Sequence, residues 1–220
     1  QSKLIKAEST LPVPDQHALI QSEKLINRIK ESIHMQGGSI SFDEYMKLAL
    51  YEPGLGYYSA GSYKFGAEGD FVTAPELSPI FSQCLANQCE QILNDLGAGT
   101  ILELGAGTGA MARDILLELE KQNSLPEQYM ILEISADLKQ RQQYNLKETI
   151  PHLFDRMVWL DTLPEKGITG VILANEVLDS LPVKRFKKTS TGFKEMKVGL
   201  GDNQFVWVDS YAEGELLKNI

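Results

Sequence analysis

The sequence predicts an α/β fold in which a doubly wound, parallel sheet is preceded by a helical lead-in and followed by a β-meander. Three observations carry this. From Thr100 onward, short apolar runs alternate with helical patterns, as in a parallel sheet with crossover helices. Three glycines, at 105, 107 and 109, stand where the first of those runs gives way to a helix. Before residue 97 the periodicity is helical, and after residue 182 it turns to strand, turn and strand.

At the N-terminal end, Leu19, Leu25, Ile26, Ile29 and Ile33 recur at near-helical spacing, and Gly37-Gly38 stops the pattern. Ser41-Phe-Asp-Glu44 reads as a capping box opening a second, short helix that Glu52-Pro-Gly54 ends. Residues 54–69 are rich in glycine and aromatic residues, too irregular for a helix and too long for a tight turn, as functional loops are. Ser78-Pro79 has the chemistry of a helix start, and the helix it opens, with Ile80, Phe81, Cys84, Leu85, Ile92 and Leu96, runs to Gly97.

The alternating region then gives strands at Thr100–Leu104, Tyr129–Glu133, Met157–Leu160 and Gly170–Ala174, with helices at Ala110–Lys121 and Ser135–Glu148. Val183–Lys188, Phe193–Val198 and Phe205–Val208 form the meander, with turns at 190–192 and 201–203. The chain divides into a lead-in with its loop (1–75), a Rossmann-like core (76–182) and the meander (183–220).

Composition bounds the function. With 43% hydrophobic and 23% charged residues the chain is an ordinary globular sequence. A net charge of −9 and a pI near 4.9 leave no broad basic footprint for nucleic acid. The one basic cluster, Lys184-Arg-Phe-Lys-Lys188, reads as an exposed strand face. No run reaches the ~20 apolar residues of a membrane span, and no signal-peptide layout is seen, so a soluble intracellular protein is expected. Cys84 and Cys89 lie roughly 140° apart on one helix, which excludes a mutual disulfide; both are expected to be buried thiols, and no metal site is assigned.

The strongest chemical signal is Glu103-Leu-Gly-Ala-Gly-Thr-Gly109. Glycines at a strand-to-helix junction let the backbone turn sharply and approach a ligand. Alone they do not name it, because Gly105 to Ala110 also fits the dinucleotide pattern G-x-G-x-x-G/A. Glu103 separates the readings. A carboxylate beside the turn repels a pyrophosphate but favours the ammonium and sulfonium of S-adenosylmethionine. Glu133, at the end of the second strand, suits the two hydroxyls of a ribose in either cofactor. Asp161, after the third strand, stands either where adenine contacts arise or as a surface residue opening a turn. Asn175-Glu176 and Asp179 follow the fourth strand, on the side where doubly wound folds bind ligands. If that segment turns helically, Glu176 and Asp179 share a face that grips a guanidinium or amine.

Four motifs together carry a resemblance: Gly69-Asp-Phe-Val-Thr-Ala-Pro-Glu-Leu-Ser78, the Glu103–Gly109 turn, Leu132-Glu-Ile-Ser135 and Asn175-Glu-Val-Leu-Asp-Ser-Leu-Pro182. In this order they resemble the MidA (DUF185) family of S-adenosylmethionine-dependent methyltransferases, which includes the mitochondrial complex I assembly methyltransferase. The resemblance implies a class I methyltransferase fold acting on a protein, with arginine of a respiratory-complex subunit as substrate. It places Asp70, Phe71, Thr73 and Glu76 on a loop that closes over the cofactor. The expected cofactor set is Glu103, Gly105, Ala106, Gly107, Gly109, Glu133, Ile134 and Asp161 with Asp70, Phe71 and Thr73, and the expected catalytic set is Asn175, Glu176 and Asp179. Family members run beyond this length, so a truncated sheet with an exposed edge is expected. The competing readings are an oxidoreductase using a nicotinamide cofactor and a non-catalytic assembly factor that keeps the fold as a platform.

Overall fold

The computed structural model describes residues 14–59, 73–202 and 204–219. Helix α1 (Gln16–Met35) starts where Asp15 accepts the Ala18 N–H at 2.7 Å, and its Ile29 and Ile33 point inward. A two-residue strand, β1 (Ser39–Ile40), leads into α2 (Phe42–Tyr51). The expected capping box is not made. Ser41 forms no side-chain cap, and Glu44 turns instead to α1, where it accepts the Ser32 hydroxyl at 2.9 Å.

Past α2 the chain folds back on the helix end, with Tyr57 N–H and Tyr58 N–H donating to Ala49 O and Leu50 O at 2.9 and 2.8 Å. Gly56 makes this possible, since a Cβ there would lie 2.5 Å from the Glu52 nitrogen. After α3 (Ala74–Leu77), helix α4 (Pro79–Leu96) opens on Ser78, which accepts Ile80 N–H, and closes on Gly97 at φ +76°. Its inner face carries Ala86, Cys89 and Leu93. Cys84 is exposed, contrary to expectation. The angular offset that rules out a disulfide also puts it on the helix face opposite Cys89.

Strands β2 (Thr100–Leu104), β3 (Tyr129–Leu132), β4 (Met157–Leu160) and β5 (Gly170–Ala174) form a parallel sheet in the order β4-β3-β2-β5. Ile101, Ile131, Trp159 and Leu173 meet Leu93 of α4, Ile115 and Leu119 of helix α5 (Ala110–Lys121), and Leu146 of helix α6 (Ala136–Thr149) in one core. Among the described residues the sheet ends on β5, whose Ile172 is 60% exposed. Because β3 lies on one side of β2 and β5 on the other, the strand order reverses at β2. The crevice beyond the carboxyl ends of β2 and β5 is where such sheets bind ligands.

The meander is a separate antiparallel sheet. Strand β6 (Phe186–Thr189) starts three residues later than expected, while β7 (Gly192–Gly201) and β8 (Gln204–Tyr211) run longer. The basic cluster is exposed on this sheet and partly neutralised, with Lys187 2.6 Å from Asp209 and Lys184 3.3 Å from Asp43. Strand β1 adds to β7 through Ser39 opposite Gly199, and Ile29, Ile33, Ile40, Leu48 and Val198 make a second core. Lead-in and meander thus pack on one another. A short helix, α7 (Gly214–Lys218), follows, and no helix among the described residues is long and apolar enough to cross a membrane.

Candidate active site

The glycine turn fills the switch point. Gly105, Gly107 and Gly109 have φ of +65°, +56° and +86°, all in the left-handed region that side chains resist. The turn is pinned by Gly105 N–H to Leu132 O at 3.0 Å and Gly109 N–H to Ala106 O at 2.8 Å. At 109 a Cβ would also stand 3.1 Å from Leu146 Cδ1. Helix α5 starts directly behind, so its unpaired N–H groups face the turn. Thr108 accepts Ala110 N–H at 3.3 Å and donates its hydroxyl to the Glu76 carboxylate, tying α3 to the turn.

Two buried carboxylates lie beneath the turn. Glu103, on β2, is 1% exposed and accepts the Tyr129 hydroxyl at 2.7 Å. Burial raises its pKa to about 7; the Tyr129 hydrogen bond opposes the rise and the charge of Glu133 adds to it. Glu133, one residue past β3, accepts Ser135 N–H at 2.9 Å and Gln142 Nε2 at 3.0 Å. Burial raises its pKa too, against those hydrogen bonds. Two acids held together away from water are poised to receive a cation.

The opposite wall follows β5. Asn175, Glu176 and Asp179 all line the cleft, as expected, together with Val177 and Ser180. The helical turn expected there is absent. Residues 175–180 form bends and turns, and Glu176 takes φ +52°, so the two acids are not brought together by helical spacing. The segment is held from α2, where the Tyr51 hydroxyl donates to Ser180 O at 3.1 Å. Tyr51 and Tyr58 stack with ring centroids 5.6 Å apart and complete the wall; neither was singled out by sequence. The cleft is a small cavity of about 100 Å³ that opens to solvent.

Glu103, Gly105, Ala106, Gly107, Glu133 and Thr73 therefore meet around one cavity. Gly109 lies behind it, supporting the turn. Asp161 is not among the lining residues; its side chain is 89% exposed and ion-paired with Lys139 at 2.7 Å. Ile134 does not line the cavity either and is 57% exposed. Asp70 and Phe71 lie outside the described residues. Sequence reading missed Tyr129 and Gln142, both fully buried, because each reaches its carboxylate only in three dimensions.

Residues 84–220 match the family described as "Putative S-adenosyl-L-methionine-dependent methyltransferase". Among curated relatives, the mitochondrial protein arginine methyltransferase NDUFAF7 homolog of Caenorhabditis elegans is 31% identical over 199 residues, covering 80% of this chain and 45% of the relative. The human mitochondrial protein arginine methyltransferase NDUFAF7 is 31% identical, covering 74% of this chain and 42% of its own. The chain thus spans a little under half the length of these relatives. A COG1565 superfamily member from Burkholderia thailandensis, crystallised bound to S-adenosyl-homocysteine, superposes with a TM-score of 0.82 at 42% identity, covering 96% of this chain and 56% of that one.

Proposed function

This chain belongs to the S-adenosyl-L-methionine-dependent methyltransferase family, and on that premise we propose that its cleft binds S-adenosylmethionine and directs a methyl group to a protein arginine. The observation that carries the reading is the buried acid Glu103, which lines the same cavity as the glycine turn. Phosphates of a dinucleotide at the start of α5 would meet Glu103 as a like charge, whereas a cationic ligand is attracted to it; Glu133 suits the ribose of either. The superposed Burkholderia protein is bound to S-adenosyl-homocysteine, the demethylated form of that cofactor, which supports the reading.

S-adenosylmethionine, when bound, supplies a methyl group already activated on a sulfonium. Glu133 would accept the ribose hydroxyls, Glu103 would compensate the cationic end, and the turn would cradle the backbone-facing side. Asn175, Glu176 and Asp179 would orient the incoming guanidinium and stabilise the positive charge it keeps as product, one of the two carboxylates taking up the proton that the attacking nitrogen gives up as the N–C bond forms and the S–C bond breaks. An arginine side chain is protonated at any physiological pH, so carboxylates at its site serve both orientation and charge balance. Respiratory-complex subunits are the proposed substrates, by the family resemblance, in the bacterial cytoplasm or the mitochondrial matrix according to source.

Labelled-methyl transfer onto arginine-containing proteins tests this, with hydrolysis and identification of the methylated amino acid. Methylarginine that disappears in Glu176→Ala supports the reading. Label on another residue type overturns the arginine assignment, and no transfer to any protein despite cofactor binding favours a non-catalytic platform.

A further inference from the structure

We propose that Gln142 is a positioning residue that builds the ribose subsite, holding the Glu133 carboxylate and the Gly107 carbonyl in one fixed relation; this rests on the methyl-donor reading above and deepens it. In sequence Gln142 looks like part of a solvated helix face, within Lys139-Gln-Arg-Gln-Gln143. In the fold it is completely buried on α6. Its Nε2 donates to Gly107 O and to Glu133 Oε2, both at 3.0 Å, and its Oε1 accepts Trp159 Nε1–H at 3.1 Å.

The orientation of this amide is forced. An indole nitrogen only donates, so the Gln142 oxygen must face Trp159 and the NH₂ must face the two acceptors. Reversal would mismatch three contacts at once, one of them to the buried Glu133. Strand β4 therefore sets the amide, and the amide sets both the glycine turn and Glu133. The carboxylate is gripped on both oxygens, Oε1 by Ser135 N–H and Oε2 by Gln142. The Ile134 N–H also approaches this carboxylate, so of its roughly four acceptor positions about one remains, and Glu133 lines the cleft from which a further donor would come. A ribose hydroxyl is the ligand chemistry that supplies it.

The test is a comparison of dissociation constants for S-adenosylhomocysteine and its 2′-deoxy analogue, measured by calorimetry on wild type and Gln142→Leu. Wild type should prefer the ribo ligand. In Gln142→Leu its affinity should fall about tenfold or more and affinity for the deoxy analogue by a clearly smaller factor, because the loosened glycine turn touches both ligands while the ribose contact is lost only by the first. Equal weakening of both ligands would mean a merely structural role and would overturn the proposal, as would a wild type that does not discriminate or a variant that discriminates normally. Trp159→Phe, which frees only the amide oxygen, gives a second arm should the leucine variant not fold. A few-fold loss of discrimination is expected there, and full retention contradicts the proposal. A wild type that binds neither ligand sinks the methyl-donor reading instead.

Discussion

The Tyr129 hydroxyl donates to Glu103 Oε2 at 2.7 Å, and both side chains are sealed from solvent at the floor of the cleft. The phenol is the neutral donor that lets an acid stand there at all. In Tyr129→Phe the Glu103 carboxyl loses the one interaction that lowers its pKa. Cofactor affinity at pH 7 should then drop by about 1.5–3 kcal/mol, the worth of a hydrogen bond to a charged group, and recover in part at higher pH. Isothermal titration at pH 7 and 8.5 reads both effects; identical affinities in variant and wild type at both pH values would contradict this role.

Glu103 also makes stability depend on pH. An acid whose pKa rises on folding, here from 4.5 to about 7, binds more protons in the native state than in the unfolded one. Its contribution is fully present below pH 4.5 and is lost as pH rises through 7. The ligand-free protein should therefore lose on the order of a few kcal/mol between pH 5 and 8 from this group alone. Thermal melts of wild type and Glu103→Gln across that range are the check, with a flatter profile expected in the variant. Parallel profiles would remove Glu103 as the source.

Glu176 sits at φ +52°, a backbone region that costs a non-glycine residue about 1 kcal/mol or more. Glu176→Gly should leave the melting temperature unchanged or raised while abolishing most methyl transfer, with cofactor affinity intact. Glu176→Ala should lose the same activity without the gain in stability. A glycine variant of full activity would show that the strained carboxylate has no part in the reaction.

Gly109 is constrained twice, by φ +86° and by Leu146 Cδ1 standing 3.1 Å from where a Cβ would be. Gly109→Ala should destabilise by about 1–3 kcal/mol and weaken cofactor binding through the shifted turn. Denaturant unfolding together with a cofactor titration measures the two losses, and an unchanged unfolding midpoint would contradict the packing account.

Features encoded by neighbours in the chain are legible in the order of residues alone. The glycine turn declares itself through three alternating glycines at a strand end, and Glu133 through its place after the next apolar run. The Ser78 and Ser135 caps form as local chemistry demands. What stays hidden depends on distant partners. Nothing near Ser39-Ile40 announces pairing with Gly199 and Val198, and nothing in a glutamine-rich helix announces that one glutamine is buried against Trp159. Glu44 leaves its capping box because Ser32 of α1 offers a better-placed donor. The spacing of Glu176 and Asp179 suggests a helix that the left-handed Glu176 backbone replaces with turns.

If the buried Glu103 beside the glycine turn selects a cationic methyl donor over a dinucleotide, the selection is measurable in binding alone. Calorimetric titration of the wild-type chain with S-adenosylmethionine and, separately, with NAD tests it most directly. A saturable heat with S-adenosylmethionine, lost in Glu103→Ala and absent with NAD, is the predicted result. Tight NAD binding with no response to S-adenosylmethionine would contradict it.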